Sequence, residues 1–120
     1  MATRVVFWIQ ALLGLGLARI FMGQAPSDSE KTVHMVVGIV AALLAIYTFR
    51  PGTSAPSNGL TTAAAFFPLV PLVVGLLIRS GALGNLPTMG VHALLGIAAV
   101  GLIEAASGRR RRLARAESAA

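Results

Sequence analysis

The chain reads as an all-α integral membrane protein: four transmembrane helices in an up-down-up-down bundle, built as two similar hairpins. Three observations predict this. First, 56% of the 120 residues are hydrophobic and 12% are charged, too little polar side chain to clothe a water-soluble domain. Second, the apolar residues gather into four stretches, 5–22, 33–49, 60–78 and 86–106. Each is about 17–21 residues long, which as helix spans a hydrocarbon core about 30 Å thick. Third, one local pattern occurs twice, Val33-His34-Met35-Val36-Val37-Gly38-Ile39 and Val91-His92-Ala93-Leu94-Leu95-Gly96-Ile97, and it holds the only two histidines.

The first stretch, Val5–Met22, follows Arg4 as a signal peptide would. No small-x-small cleavage site stands around Gly23-Gln24-Ala25-Pro26, so it is expected to remain as a helix. Arg19 lies near its outer end, and a loop with Gly and Pro leads to the second stretch, Val33–Phe49, which opens on His34. The third, Leu60–Ile78, contains Pro68 and Pro71, which predict a kink that membrane helices tolerate. Arg79 ends it, a second Gly/Pro loop follows, and the fourth, Leu86–Ala106, opens near His92. Trp8 and Tyr47 sit toward inner ends, where aromatic belts form. Glu104, near the inner end of the fourth helix, is expected to pair with the arginines after it. Residues 1–108 thus make one four-helix domain, and 109–120 a basic tail.

Charge sets the orientation. The net charge of +6 comes largely from Arg109-Arg110-Arg111-Arg112 and Arg115, with Arg4 before the first helix and Arg50 after the second. By the positive-inside rule both termini and the Arg50–Gly59 loop are cytoplasmic, in a multi-pass protein of a bacterial-type inner (plasma) membrane. Asp28 and Glu30 then fall in an external loop. The basic tail is expected to rest on anionic lipid headgroups, not on nucleic acid. The chain has no cysteine, which excludes disulfides, thiolate ligands, iron–sulfur clusters and covalently attached c-type haem. It has no phosphate-binding glycine loop, catalytic triad or nucleotide fingerprint.

An imidazole inside a membrane span needs a polar partner, because no water is there to supply one. A single histidine near a helix end is ordinarily half solvated and bonded to a loop. Two in matching frames suggest a shared task. In an up-down-up-down bundle the second and fourth helices run parallel and lie diagonally across the core. Both histidines stand about one turn inside the outer end of their helix, so chain direction brings them to one depth. That predicts bis-histidine ligation of one metal or metallo-cofactor near the external face, with His34 and His92 as the metal ligands. Gly38 and Gly96, four residues on, share the histidine's helix face one turn deeper. They leave room for a macrocycle or for close helix packing, readings of equal weight. Arg19 and Arg79 can snorkel to the interface, or pair bidentately with haem propionates; Lys31 and Gln24 are weaker candidates. Met35 is read as packing. A zinc site needs three or four ligands, and only Asp28 and Glu30 are available to join. Chlorophyll, with one axial ligand each, stays open.

With these residues in place, the pattern resembles one half of the haem A synthase family. The motifs Val33-His34-Met35-Val36-Val37-Gly38 and Val91-His92-Ala93-Leu94-Leu95-Gly96 match that family's histidine segments in placement and local character. The resemblance implies a four-helix bundle with haem-ligating histidines on its second and fourth helices, here His34 and His92. Full-length members have eight helices and two histidine pairs, one for substrate and one for a haem cofactor; this chain has one pair. The family's active half carries a carboxylate shortly before its second-helix histidine, and Glu30 stands four residues before His34. The resemblance therefore implies haem binding first, and catalysis only for a dimer.

The expected function is that of a b-type cytochrome-like membrane protein carrying one haem b per chain in electron transfer. Its partners would be membrane lipid, quinol or another redox protein, and either a larger membrane complex or a second copy. Enzymatic activity stays open. The alternatives are a single-bundle haem-modifying synthase and a cofactor-free accessory subunit of a respiratory or photosynthetic complex.

Overall fold

A computed structural model describes residues 1–52 and 58–120 of the chain. The described residues are helical, and four stretches are long and apolar enough to cross a membrane: Ala2–Met22, Asp28–Phe49, Gly59–Arg79 and Leu86–Ala119. The first is α1 (Ala2–Leu17) prolonged by a 3-10 segment, Ala18–Met22, and stopped by Gly23 at φ 76°. A positive φ of this kind suits glycine, which has no Cβ to clash.

The second span is α2 (Asp28–Phe49). Ser27 caps it, accepting from the Glu30 amide, while the Glu30 carboxylate accepts from the Ser27 amide. This reciprocal box satisfies two of the amides a helix start leaves unpaired. The third span is broken where the prolines fall, into α3 (Gly59–Phe66) and α4 (Leu69–Arg79). Pro71 has no N–H to offer the Phe67 carbonyl, which accepts instead from Val70 in a tighter turn.

The fourth span, α5 (Leu86–Ala119), starts at an Asn85 cap with proline in its first turn. It runs unbroken for 34 residues, about 51 Å at 1.5 Å per residue, and nearly fills the 56 Å length of the molecule. About 20 residues suffice to cross the hydrocarbon, so the arginines from Arg109 onward ride on the same helix as it leaves the bundle.

Helix α1 packs against α2 and α5; α3 and α4 each pack against both α2 and α5. The interior is mostly alanine. Ala41 and Ala45 of α2, Ala64 and Ala65 of α3, and Ala99 and Ala106 of α5 are buried with Phe7, Phe49 and Ile103. Large apolar residues such as Leu12, Leu15, Leu43, Leu94 and Ile97 are exposed on the outside. Small residues within and large ones without is the pattern of helices packed in lipid, where close backbone contact replaces the hydrophobic effect as the force between helices.

One end is tied by polar groups. Thr3 and Thr48 hydroxyls lie 2.7 Å apart, and Arg4 grips the Glu104 carboxylate at 2.6 Å while Trp8 donates to it at 3.0 Å. Glu104 thus joins the start of α1 to α5, a partner nearly the whole chain away and not the neighbouring arginines the sequence suggested. Arg110 donates to the Thr48 carbonyl and lies against the Phe49 ring. The alanine core sits toward this end. The histidines sit toward the other.

Candidate cofactor site

His34 enters the bundle from the second turn of α2, and His92 from the second turn of α5. Their ring centres are 6.0 Å apart with planes inclined at 80°. Two imidazoles sharing one ion, each nitrogen about 2 Å from it, have centres about 6 Å apart. The separation therefore suits a common ion, and the steep angle rules out a face-to-face stack that would leave no place for one. Nδ1 of His34 and Nδ1 of His92 are both buried and make no hydrogen bond. A buried nitrogen with a lone pair or proton to spend and no partner is costly in a membrane interior.

Each ring rests on a glycine of the preceding span. A Cβ added at Gly14 of α1 would stand 3.2 Å from Cε1 of His34, and one added at Gly75 of α4 would stand 2.9 Å from Cε1 of His92. Neither glycine was singled out from the sequence. Gly14 precedes Arg19 by five residues and Gly75 precedes Arg79 by four, so extending the repeat upstream of the arginines would have found both.

A third polar group lies deeper on α1. The Gln10 amide nitrogen is 3.3 Å from Nε2 of His34, and the Gln10 Oε1 is buried without a partner. On the other side the Pro71 carbonyl approaches the His92 ring as an acceptor. Sequence reasoning passed over Gln10, though it is the only side chain with an amide, hydroxyl or charge between Arg4 and Arg19.

The other residues expected at the site divide. Gly38 faces inward, and a Cβ there would stand 2.9 Å from the Gln10 amide. Gly96 faces open space. Arg19 grips the Glu30 carboxylate with contacts of 2.5 and 2.6 Å, tying the 3-10 segment to the capping box of α2. Arg79 donates to the Thr32 hydroxyl at 3.0 Å, two residues before His34, so α4 is tied to the start of α2. Lys31 pairs with Asp28 at 3.1 Å. Both arginines stand at the mouth above the histidines and are engaged by protein groups there.

Among the described residues no three His, Cys, Asp or Glu side chains gather to hold an ion. The chain offers an ion two nitrogens, so the remaining coordination would have to come with the ligand. A tetrapyrrole does this, supplying four in-plane nitrogens and taking two axial ones. The donor set and the orphaned nitrogens fit that group. No family model, curated protein or solved structure matches this chain.

Proposed function

We propose that the protein is a membrane haem b-binding protein, with His34 and His92 as axial ligands of one haem near the external face, acting in electron transfer. The observation that carries this is the pair itself: the only two histidines of the chain, on different spans, 6.0 Å apart, each with a buried nitrogen lacking a partner. The bundle supports it by placing its alanine core to one side of the rings. A haem so bound would supply one-electron chemistry, with His34 and His92 as the residues that hold it. The protein's own part is to hold the rings level, to exclude water with the lipid-facing spans, and to present Arg19 and Arg79 at the mouth for the propionates. The resemblance to one half of the haem A synthase family agrees with this ligand placement.

The same reading takes the spans as up-down-up-down, in two hairpins, with both termini cytoplasmic. The Thr3–Thr48, Arg4–Glu104 and Arg79–Thr32 contacts support it, since each links the ends such a bundle would bring together. The arginines from Arg109 to Arg115 support the orientation, and a bacterial-type inner membrane is the expected setting. Quinol or another redox protein is the expected electron partner.

The test is a pyridine-haemochrome and reduced-minus-oxidised spectrum of the purified protein. Wild type is expected to show haem b with a low-spin spectrum, and His34→Ala and His92→Ala each to lose the low-spin form. A colourless wild-type preparation from haem-replete cells, still colourless after haemin is added, would falsify the proposal.

A further inference from the structure

The two rings are held in one manner, at one place in each half. Counting back four residues from the seat of His34, Gly14, reaches Gln10; counting back four from the seat of His92, Gly75, reaches Pro71. A spacing of four puts the second residue on the same helix face, one turn along. There the Gln10 amide meets the His34 ring and the Pro71 carbonyl approaches the His92 ring. The chemistry is equivalent, since an amide carbonyl is offered by a side chain in one half and by the backbone in the other. Amide oxygen and nitrogen are interchangeable in shape. With the amide turned, the His34 Nε2–H donates to the Gln10 oxygen, and the orphaned Oε1 gains its partner. Nδ1 of both rings stays without one.

We propose that Gln10 is a positioning residue of this site: its amide fixes the tautomer and tilt of the His34 ring. Nε2 of His34 is held by protein and its Nδ1 is left for the metal. This rests on the haem reading for its purpose, although the Gln10–His34 contact exists without any ligand. An imidazole that donates its second N–H becomes a more basic ligand and is locked in orientation. Loss of such a partner ordinarily costs about 10–100-fold in affinity.

The experiment uses the full chain in detergent, with haemin as the probe, comparing wild type, Gln10→Leu and Gln10→Glu. Leucine fits an apolar span and removes both hydrogen-bonding atoms; glutamate keeps an acceptor. Gln10→Leu is expected to weaken haemin binding about tenfold or more and to raise the midpoint potential. Gln10→Glu is expected to restore much of the affinity and to bring the potential back to the wild-type value or below it. The second arm needs no haem: imidazole ¹⁵N shifts of the unloaded protein. Gln10→Leu is expected to alter the nitrogen pair of His34 and leave that of His92 in place. Unchanged affinity, potential and His34 shifts in Gln10→Leu would overturn the role of Gln10 and leave the haem reading standing. If wild type takes up no haemin, the haem reading falls, and the ¹⁵N arm alone decides whether Gln10 sets the His34 ring.

Discussion

Around His34 the polar support is a side chain, the Gln10 amide, over a glycine where a Cβ would stand 3.2 Å from the ring; around His92 it is backbone, the Pro71 carbonyl, over a glycine where a Cβ would stand 2.9 Å from the ring. A side-chain amide can turn away at the cost of a rotamer change. A carbonyl in a helix cannot move without moving the helix, and Pro71 lies in the first turn of α4. The two halves therefore reach the same ring placement with different stiffness. The His92 side is the rigid wall, and the His34 side is the one that can adapt.

The largest test of that contrast is at the histidines. On the haem reading, His34→Ala and His92→Ala each abolish the low-spin spectrum, because one imidazole cannot fill both axial positions. The halves separate when imidazole is added back to the buffer. The cavity left in the softer His34 half is expected to accept it and regain low-spin character, while the His92 cavity, closed on backbone, regains less. Equal rescue of both, read from the reduced α and β bands, would mean that the two walls yield alike.

Next in size are the seats. Gly75→Ala puts a methyl 2.9 Å from the His92 ring and Gly14→Ala one 3.2 Å from the His34 ring, so the first must push its ring further. Gly75→Ala is expected to weaken haemin binding about tenfold, in line with loss of an orienting contact, and Gly14→Ala distinctly less. Haemin titration of the two variants checks the order. The reverse order would sink the contrast in stiffness.

How much of this could be read from the sequence follows from what each feature depends on. The four spans depend on length and hydropathy, both local, and were legible to within about five residues except at the end of the fourth. The histidine pair was legible because an ionisable group is rare in an apolar run and two identical frames are rarer. The break at Pro68 was legible from the missing amide. The Arg4–Glu104–Trp8 tie was not, since it joins residues at opposite ends of the chain and neither carries a sign of the other. Gly14 and Gly75 were hidden among 13 glycines; what sets them apart is the ring above each, a contact between helices. The onward run of α5 had a local signal that went unused. After Gly108 the residues are Arg, Leu, Ala, Glu and Ser, mostly strong helix formers with no proline to stop them.

A smaller effect is expected one turn deeper. At Gly38 a Cβ would stand 2.9 Å from the Gln10 amide, the free end of a flexible side chain, whereas at Gly96 it would meet nothing. Gly38→Ala should therefore move the amide off His34 and reproduce part of the Gln10→Leu phenotype in the His34 ¹⁵N shifts. Gly96→Ala should leave haemin affinity unchanged. It should also raise stability toward denaturation by up to about 1 kcal/mol, since alanine is the better helix former.

The smallest expected effect lies at the mouth, where the halves differ again. Arg19 holds Glu30, and Glu30 is also half of the capping box that starts α2, one turn before His34. Arg79 holds the Thr32 hydroxyl, a neutral acceptor it can release at little cost, with the Asp28 carboxylate within its electrostatic reach. If propionates of a bound haem are to be met at this mouth, Arg79 is the freer of the two to turn toward them, while Arg19 must first give up a carboxylate. Arg79→Gln is therefore expected to lower haemin affinity several-fold with little change in the melting temperature of the unloaded protein. Arg19→Gln is expected to do the opposite, loosening the start of α2 and lowering that temperature while affinity changes less. Exposed ion pairs of this kind contribute little and are screened by salt, so both differences should shrink as ionic strength rises. If Arg19→Gln proves the more damaging to haemin binding at every salt concentration, Arg19 leaves Glu30 for the propionate, and the adaptable half extends to the surface of the bundle.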